Sequence, residues 1–180
     1  MTDAIYIRAA RPEDAGAIAR IQVDSYRSAH AGILPQDYLD QLSYDEQESD
    51  WFELLTSGTP EVILVAAAGD SQLAGYALGR AQASCGAPYD SELVSLHVRR
   101  ALHRRGIGRM LVSAMAASLA SRGCRAMMLW VLEANPARAF YEHLDATLLE
   151  GHKLFVGARE VPYGWPDIQM IASPAPGGDG

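Results

Sequence analysis

Apolar and polar residues alternate over residues 4–9, and runs rich in Val, Ile, Leu and Ala recur at residues 61–68, 73–83 and 92–98, a pattern that predicts four strands. Gly69, Asp70 and Ser71 are turn residues that join the runs at 61–68 and 73–83 as a hairpin, and the three successive strands imply antiparallel pairing. After residue 106 the period changes. Ile107, Met110, Leu111, Ala114, Met115 and Leu119 recur at helical spacing, Gly123 is suited to end that helix, and residues 127–132 are a continuous apolar strand. Strand, helix and buried strand in that order predict a parallel, right-handed crossover.

Elsewhere the punctuation is equally readable. Pro12, Glu13 and Asp14 suit the front of a helix that carries Ile18, Ile21, Gln22, Ser25 and Tyr26 on one stripe and runs to about residue 29. Residues 30–35 break it, and a second helical region is expected over 35–55 through Leu42, Trp51 and Phe52. Asn135 followed by Pro136 is an N-cap with proline at the first helical position, opening a helix that bears Phe140 and Tyr141 and ends near Leu144. Residues 148–157 and 160–171 read as a last pair of strands, with Val161, Pro162, Tyr163, Gly164, Trp165 and Pro166 interrupting the second. One domain over 1–172 and a disordered tail over 173–180 are expected, since 180 residues at 49% apolar composition can bury a single core.

Charge then singles out one stretch. Residues 99–109 hold Arg99, Arg100, Arg104, Arg105 and Arg109 without an acid, in a chain whose net charge is −7. They surround Gly106 and Gly108 between a strand and a helix, where free N–H groups and the helix dipole favour a phosphate. An acidic protein with one basic loop suits a small polyanion better than a nucleic acid. The loop has neither the Lys-Ser/Thr ending of a nucleotide-hydrolase P-loop nor the third glycine of a dinucleotide fingerprint. Cys85 and Cys124 lie far apart with no metal spacing, so reduced thiols and no metal site are expected. No leader-like start or apolar run of membrane-spanning length is present in these residues, so a soluble, cytoplasmic protein without membrane partners is expected.

Glu-Leu-x-x-Leu-x-Val at 92–98, followed by His-Arg-Arg-Gly-Ile-Gly-Arg-x-Leu at 103–111, resembles the acyl-CoA-binding core of the GNAT superfamily of N-acetyltransferases. Residues 129–141, with Asn135, Phe140 and Tyr141, are similar to that family's second conserved block, and the likeness extends over roughly residues 4–172. There are departures: His103 stands where Gln or Arg is usual, Arg100 where Pro is common, and Asn135 lies six rather than seven residues before Tyr141.

The resemblance implies an α/β (α+β) GNAT fold, a mixed central sheet of six or seven strands with helices on both faces and the fourth and fifth strands parallel and splayed around the acyl-CoA site. It implies acetyl-CoA as acyl donor. The pyrophosphate would lie on His103, Arg104, Arg105, Gly106, Ile107, Gly108, Arg109 and Met110, and the pantetheine arm and thioester along Leu96, His97 and Val98. Asn135 is either a cofactor contact or only the helix cap. Tyr141 would protonate the departing thiolate, a phenol near 10 suiting a thiol near 8.5. Glu92 would act as base through a water. His97 would face the opposite side of the strand from Glu92 unless a bulge intervenes. Tyr26, His30 and Tyr38 are the acceptor-side candidates. The implied reaction is acetyl transfer to a primary amine of a small molecule or peptide. A non-catalytic acyl-CoA-binding domain is the other class, and a homodimer is left open.

Overall fold

The computed structural model describes residues 4–69, 72–81 and 89–172. Strands β1 (Ile5–Ala9), β2 (Val62–Ala68), β3 (Gln72–Ala81), β4 (Ser91–Val98), β5 (Met127–Leu132), β6 (Thr147–Leu148), β7 (Lys153–Phe155) and β8 (Ala158–Trp165) form one sheet. Its order is β1-β2-β3-β4-β5-β8-β6, with β7 also on β8. The β4–β5 pair is parallel and the others are antiparallel.

The continuous apolar run of β2 has a simple cause. Val62, Leu64 and Ala66 face the cluster built on helix α4 (Ile107–Ala120), while Ile63, Val65 and Ala67 face the cluster built on α1 (Ala15–Ala29) and α3 (Tyr44–Thr56). With both faces covered, no polar position is needed. On the α4 side, α5 (Arg138–Glu142) brings Tyr141 and α6 (Gln169–Ala172) packs on α4. Gly123, at φ +90°, ends α4 as expected, and the Cys124 N–H returns to Leu119 O at 3.1 Å.

The expected helical region at 35–55 is two helices, α2 (Gln36–Gln41) and α3, because Leu42 and Ser43 are extended. Ser43 caps α3 by accepting from the Glu46 N–H. The expected final strand pair is three strands and a short helix. Residues 161–165 do not interrupt β8; they are its buried part, paired throughout with β5. Pro162 is tolerated because its carbonyl accepts from the Leu149 N–H on the outer side, and the N–H it lacks would point the same way. Residues 82–88, with Cys85, and the tail from 173 lie outside the described residues.

The pair β4–β5 positions the site. It is closed by only two partnered positions, Ser91 with Met127 and Glu92 with Met128. Asp90 pins this end by accepting from the Arg125 and Ala126 N–H groups at 2.9–3.0 Å, and the Ser91 hydroxyl donates to Ala126 O. Beyond it the strands part: β4 stays on β3 and β5 on β8.

Candidate active site

A cleft of about 1140 Å³ runs through the opening between β4 and β5, from the start of α4 to the end of α1 and the β7–β8 turn. At its first mouth the chain leaves β4 through a 3-10 turn at Arg100–Leu102. The His103 Nε2 donates to Val98 O at 2.8 Å, which requires the proton on Nε2 because a carbonyl only accepts. Arg104 takes a left-handed φ of +61° and Gly106 one of +77°. The first bond closing α4 is Met110 N–H to Gly106 O. The N–H groups of Ile107, Gly108 and Arg109, all cleft-lining residues, therefore have no intrahelical partner. With Arg104 and Arg109 beside them, this mouth is built for an anion.

Gly108 is small for a reason within the protein: a Cβ there would lie 3.0 Å from the Phe140 ring. Phe140 and Tyr141 project from α5 into the cleft. The helix expected from Asn135 and Pro136 begins later, at Arg138 with Ala137 as its N-cap; Asn135 instead holds the turn ahead of it, its Oδ1 accepting from the Ala137 N–H at 2.9 Å, and it also lines the cleft. Tyr141 is buried, and burial pushes its phenol up to about 12, so it stays protonated at neutral pH.

A bulge decides what β4 presents. Leu78 pairs with Ser95 but Gly79 pairs with Leu93, so Val94 has no opposite residue. Glu92, Ser95 and His97 consequently share one face with Arg80, Leu78 and Tyr76. The condition set by simple alternation is met, yet Glu92 is not part of the cleft lining. It sits 4% exposed at the closed end, where Arg80 Nε and Nη2 both donate to its Oε2 at 2.9 and 2.5 Å. A carboxylate held in this way stands outside the cleft lining and would reach a ligand only through an intervening water.

His97 does line the cleft, between the rings of Tyr76 (5.4 Å) and Tyr26 (5.6 Å). Burial, with His30 adding to it, pushes its imidazole down to about 3, and burial also lowers His30. Both are neutral at pH 7. Tyr26 packs edge-on to His30 and Phe155; burial first, then Tyr38 and Glu160, push its phenol up to about 12. The far wall is one face of β5, β8 and β7, carrying Trp130, Leu132, Glu160 and Phe155. His30 Nδ1, Ser95 Oγ and Trp130 Nε1 are buried without a hydrogen-bond partner among the described residues. Such atoms in a cleft mark where a polar ligand would be received.

A sequence profile of the acetyltransferase (GNAT) family matches residues 18–145. An uncharacterized N-acetyltransferase of Bacillus subtilis (strain 168), YuaI, is 32% identical over 170 residues, covering 93% of this chain and 96% of its own. The chain belongs to the GNAT acetyltransferase family. This acyltransferase also shares its fold with the PaiA N-acetyltransferase of Thermoplasma acidophilum in complex with coenzyme A, at 17% identity, TM-score 0.68 and coverage of 90% and 99% of the two chains. The YncA acetyltransferase of Salmonella typhimurium with acetyl-CoA gives TM-score 0.64 at 21% identity, covering 91% and 94%.

In this GNAT chain, the expected Leu96, His97, Val98, His103, Arg104, Gly106, Ile107, Gly108, Arg109, Asn135 and Tyr141 come together along the cleft, as do Tyr26 and His30. Arg105 and Met110 are not among its lining residues, and Tyr38 stands behind it, 6.0 Å from the Phe155 ring. Sequence reading missed Trp130, Phe155 and Glu160. They reach the cleft through the pairing of β5 with β8 and β8 with β7, and no local spacing announces that order.

Proposed function

We propose that the chain transfers an acetyl group from acetyl-CoA to a primary amine by direct attack on the thioester. The observation that carries this is the parting of β4 and β5 beyond Glu92, with the open helix terminus of α4 at one mouth and Tyr141 inside. Two neighbours of the same fold, determined with coenzyme A and with acetyl-CoA, and a relative named as an N-acetyltransferase support the donor and the bond formed.

On this reading the amides of Ile107, Gly108 and Arg109 receive the pyrophosphate, with Arg104 and Arg109 adding charge. The backbone of residues 96–98, freed from β5, receives the pantetheine arm. The acceptor enters from the Tyr26 and Phe155 end, where its ammonium proton passes to bulk water, since the buried His97 and His30 resist protonation and Glu92 stands outside the cleft lining. Its neutral nitrogen bonds to the thioester carbon, the C–S bond breaks, Tyr141 gives its proton to the thiolate, and the surplus proton left on the nitrogen restores Tyr141 by way of solvent. The test is free-thiol release from acetyl-CoA in the presence of a panel of amines. Amine-dependent release supports the proposal. Stabilisation by CoA with no release for any amine overturns it.

A further inference from the structure

The two ends of the cleft have opposite charge. At the α4 end stand Arg104 and Arg109; at the other, Glu160 is the only carboxylate among the described residues that line the cleft. Glu160 is not isolated. On one face of the sheet, Leu132, Glu160 and Lys153 lie directly opposite one another on β5, β8 and β7, so their side chains stand side by side. Trp130 and Phe155 flank that row at the alternate positions on the same face.

Lys153 reveals what this corner holds. Its ammonium lies 3.4 Å from Glu160 Oε2 and 4.7 Å from the centre of the Trp130 ring. A carboxylate and an aromatic face around one ammonium is an organic-cation site. The lysine that fills it is half-exposed while Glu160 is largely covered, so the resident can leave and the site stays. The rest of the wall is apolar or neutral: the Tyr26 and Phe155 rings, Leu132, and the His30 and His97 imidazoles.

We propose that Glu160 and Trp130 hold the cation of the acceptor, which displaces Lys153, and that the acceptor is an amine on an aromatic or apolar body with no carboxylate beside the nitrogen. This rests on the acetyl-transfer reading for its consequence but not for its test. A carboxylate beside the amine would face Glu160, and like charges at close quarters are costly. A small polar amine would leave the Tyr26–Phe155 wall unused.

The experiment is calorimetric titration of the CoA-saturated protein with phenethylamine, phenylalanine and ethanolamine, alongside thiol release from acetyl-CoA with each. Phenethylamine should bind about ten-fold or more tightly than phenylalanine, and also more tightly than ethanolamine. Glu160→Gln should weaken it by about ten- to a hundred-fold, the loss expected for a charge-assisted contact. Lys153→Met should instead tighten it by about two- to five-fold, because a competing exposed ion pair has gone. Opposite signs in the two variants, with unchanged CoA-induced thermal stabilisation in both, separate a binding role from a structural one. If both variants shift binding in the same direction, or neither does, or phenylalanine binds as well as phenethylamine, the inference falls. Thiol release in that event still leaves acetyl transfer standing. Conversely, the expected binding pattern without thiol release leaves the cation site standing and overturns the transfer reading.

Discussion

Tyr141 and His97 carry the account at the scale of single residues. Burial holds the Tyr141 phenol at about 12, so the proton it would give the thiolate is present across the working range. Tyr141→Phe keeps the ring against Phe140 and Trp165 and removes the proton. The turnover number should fall by about ten- to ten-thousand-fold, the span of general acid catalysis, with CoA affinity little changed. Normal turnover with weakened CoA binding would make Tyr141 a wall of the cleft. His97 bears on stability. Its folded pKa is depressed to about 3 from an ordinary value near 6.5, so below about pH 6.5 the unfolded chain takes up a proton that the folded one refuses. That stability is fully present above pH 6.5 and is lost as pH falls toward 3. Tyr26 and Tyr76 are neutral over this window, and burial shifts His30 the same way as His97, so it adds to the same loss. The melting temperature should therefore drop between pH 6.5 and 4, and less steeply in His97→Phe. Identical slopes for the two proteins would show that His97 is protonated in the folded state.

At the scale of elements, the same glycine motif that was legible in the sequence proves to work for more than one reason. Gly106 is required by its positive φ, whereas Gly108 lets α4 approach the Phe140 ring of α5. Gly108→Ala should push Phe140 into the cleft and weaken CoA binding, and Phe140→Leu in the same chain should restore much of it. A double variant no better than Gly108→Ala, by CoA-induced thermal shift, would mean that the ligand itself meets the added methyl group. The strand–loop–helix unit and the crossover could be read because each rests on neighbours in sequence, whereas Asn135 holds a turn and the helix after it starts only at Arg138. The break at Leu42 and Ser43 was hidden by an apolar stripe that runs across it, and β8 was obscured by a Pro162 whose missing N–H falls on the outer side of the strand. The bulge at Val94 has no residue signature at all, yet it alone puts His97 on the same face as Glu92.

For the molecule as a whole, the sheet order makes the site. The facing edges of β4 and β5 part after Glu92 while β4 stays on β3 and β5 on β8, which leaves the opening, and β7 folding back on β8 supplies its far wall. On the proposed reading, one cleft takes an anionic donor at the α4 end and an amine at the Glu160 end, so both reactants are present together. Direct attack is the step proposed for that arrangement, and it has a kinetic signature. Initial velocities measured over a grid of acetyl-CoA and amine concentrations should give intersecting reciprocal plots, and protein incubated with acetyl-CoA alone should keep its unmodified mass. Parallel plots together with an acetylated protein would contradict the account, because they would mean that the acetyl group passes through the enzyme before it reaches the amine.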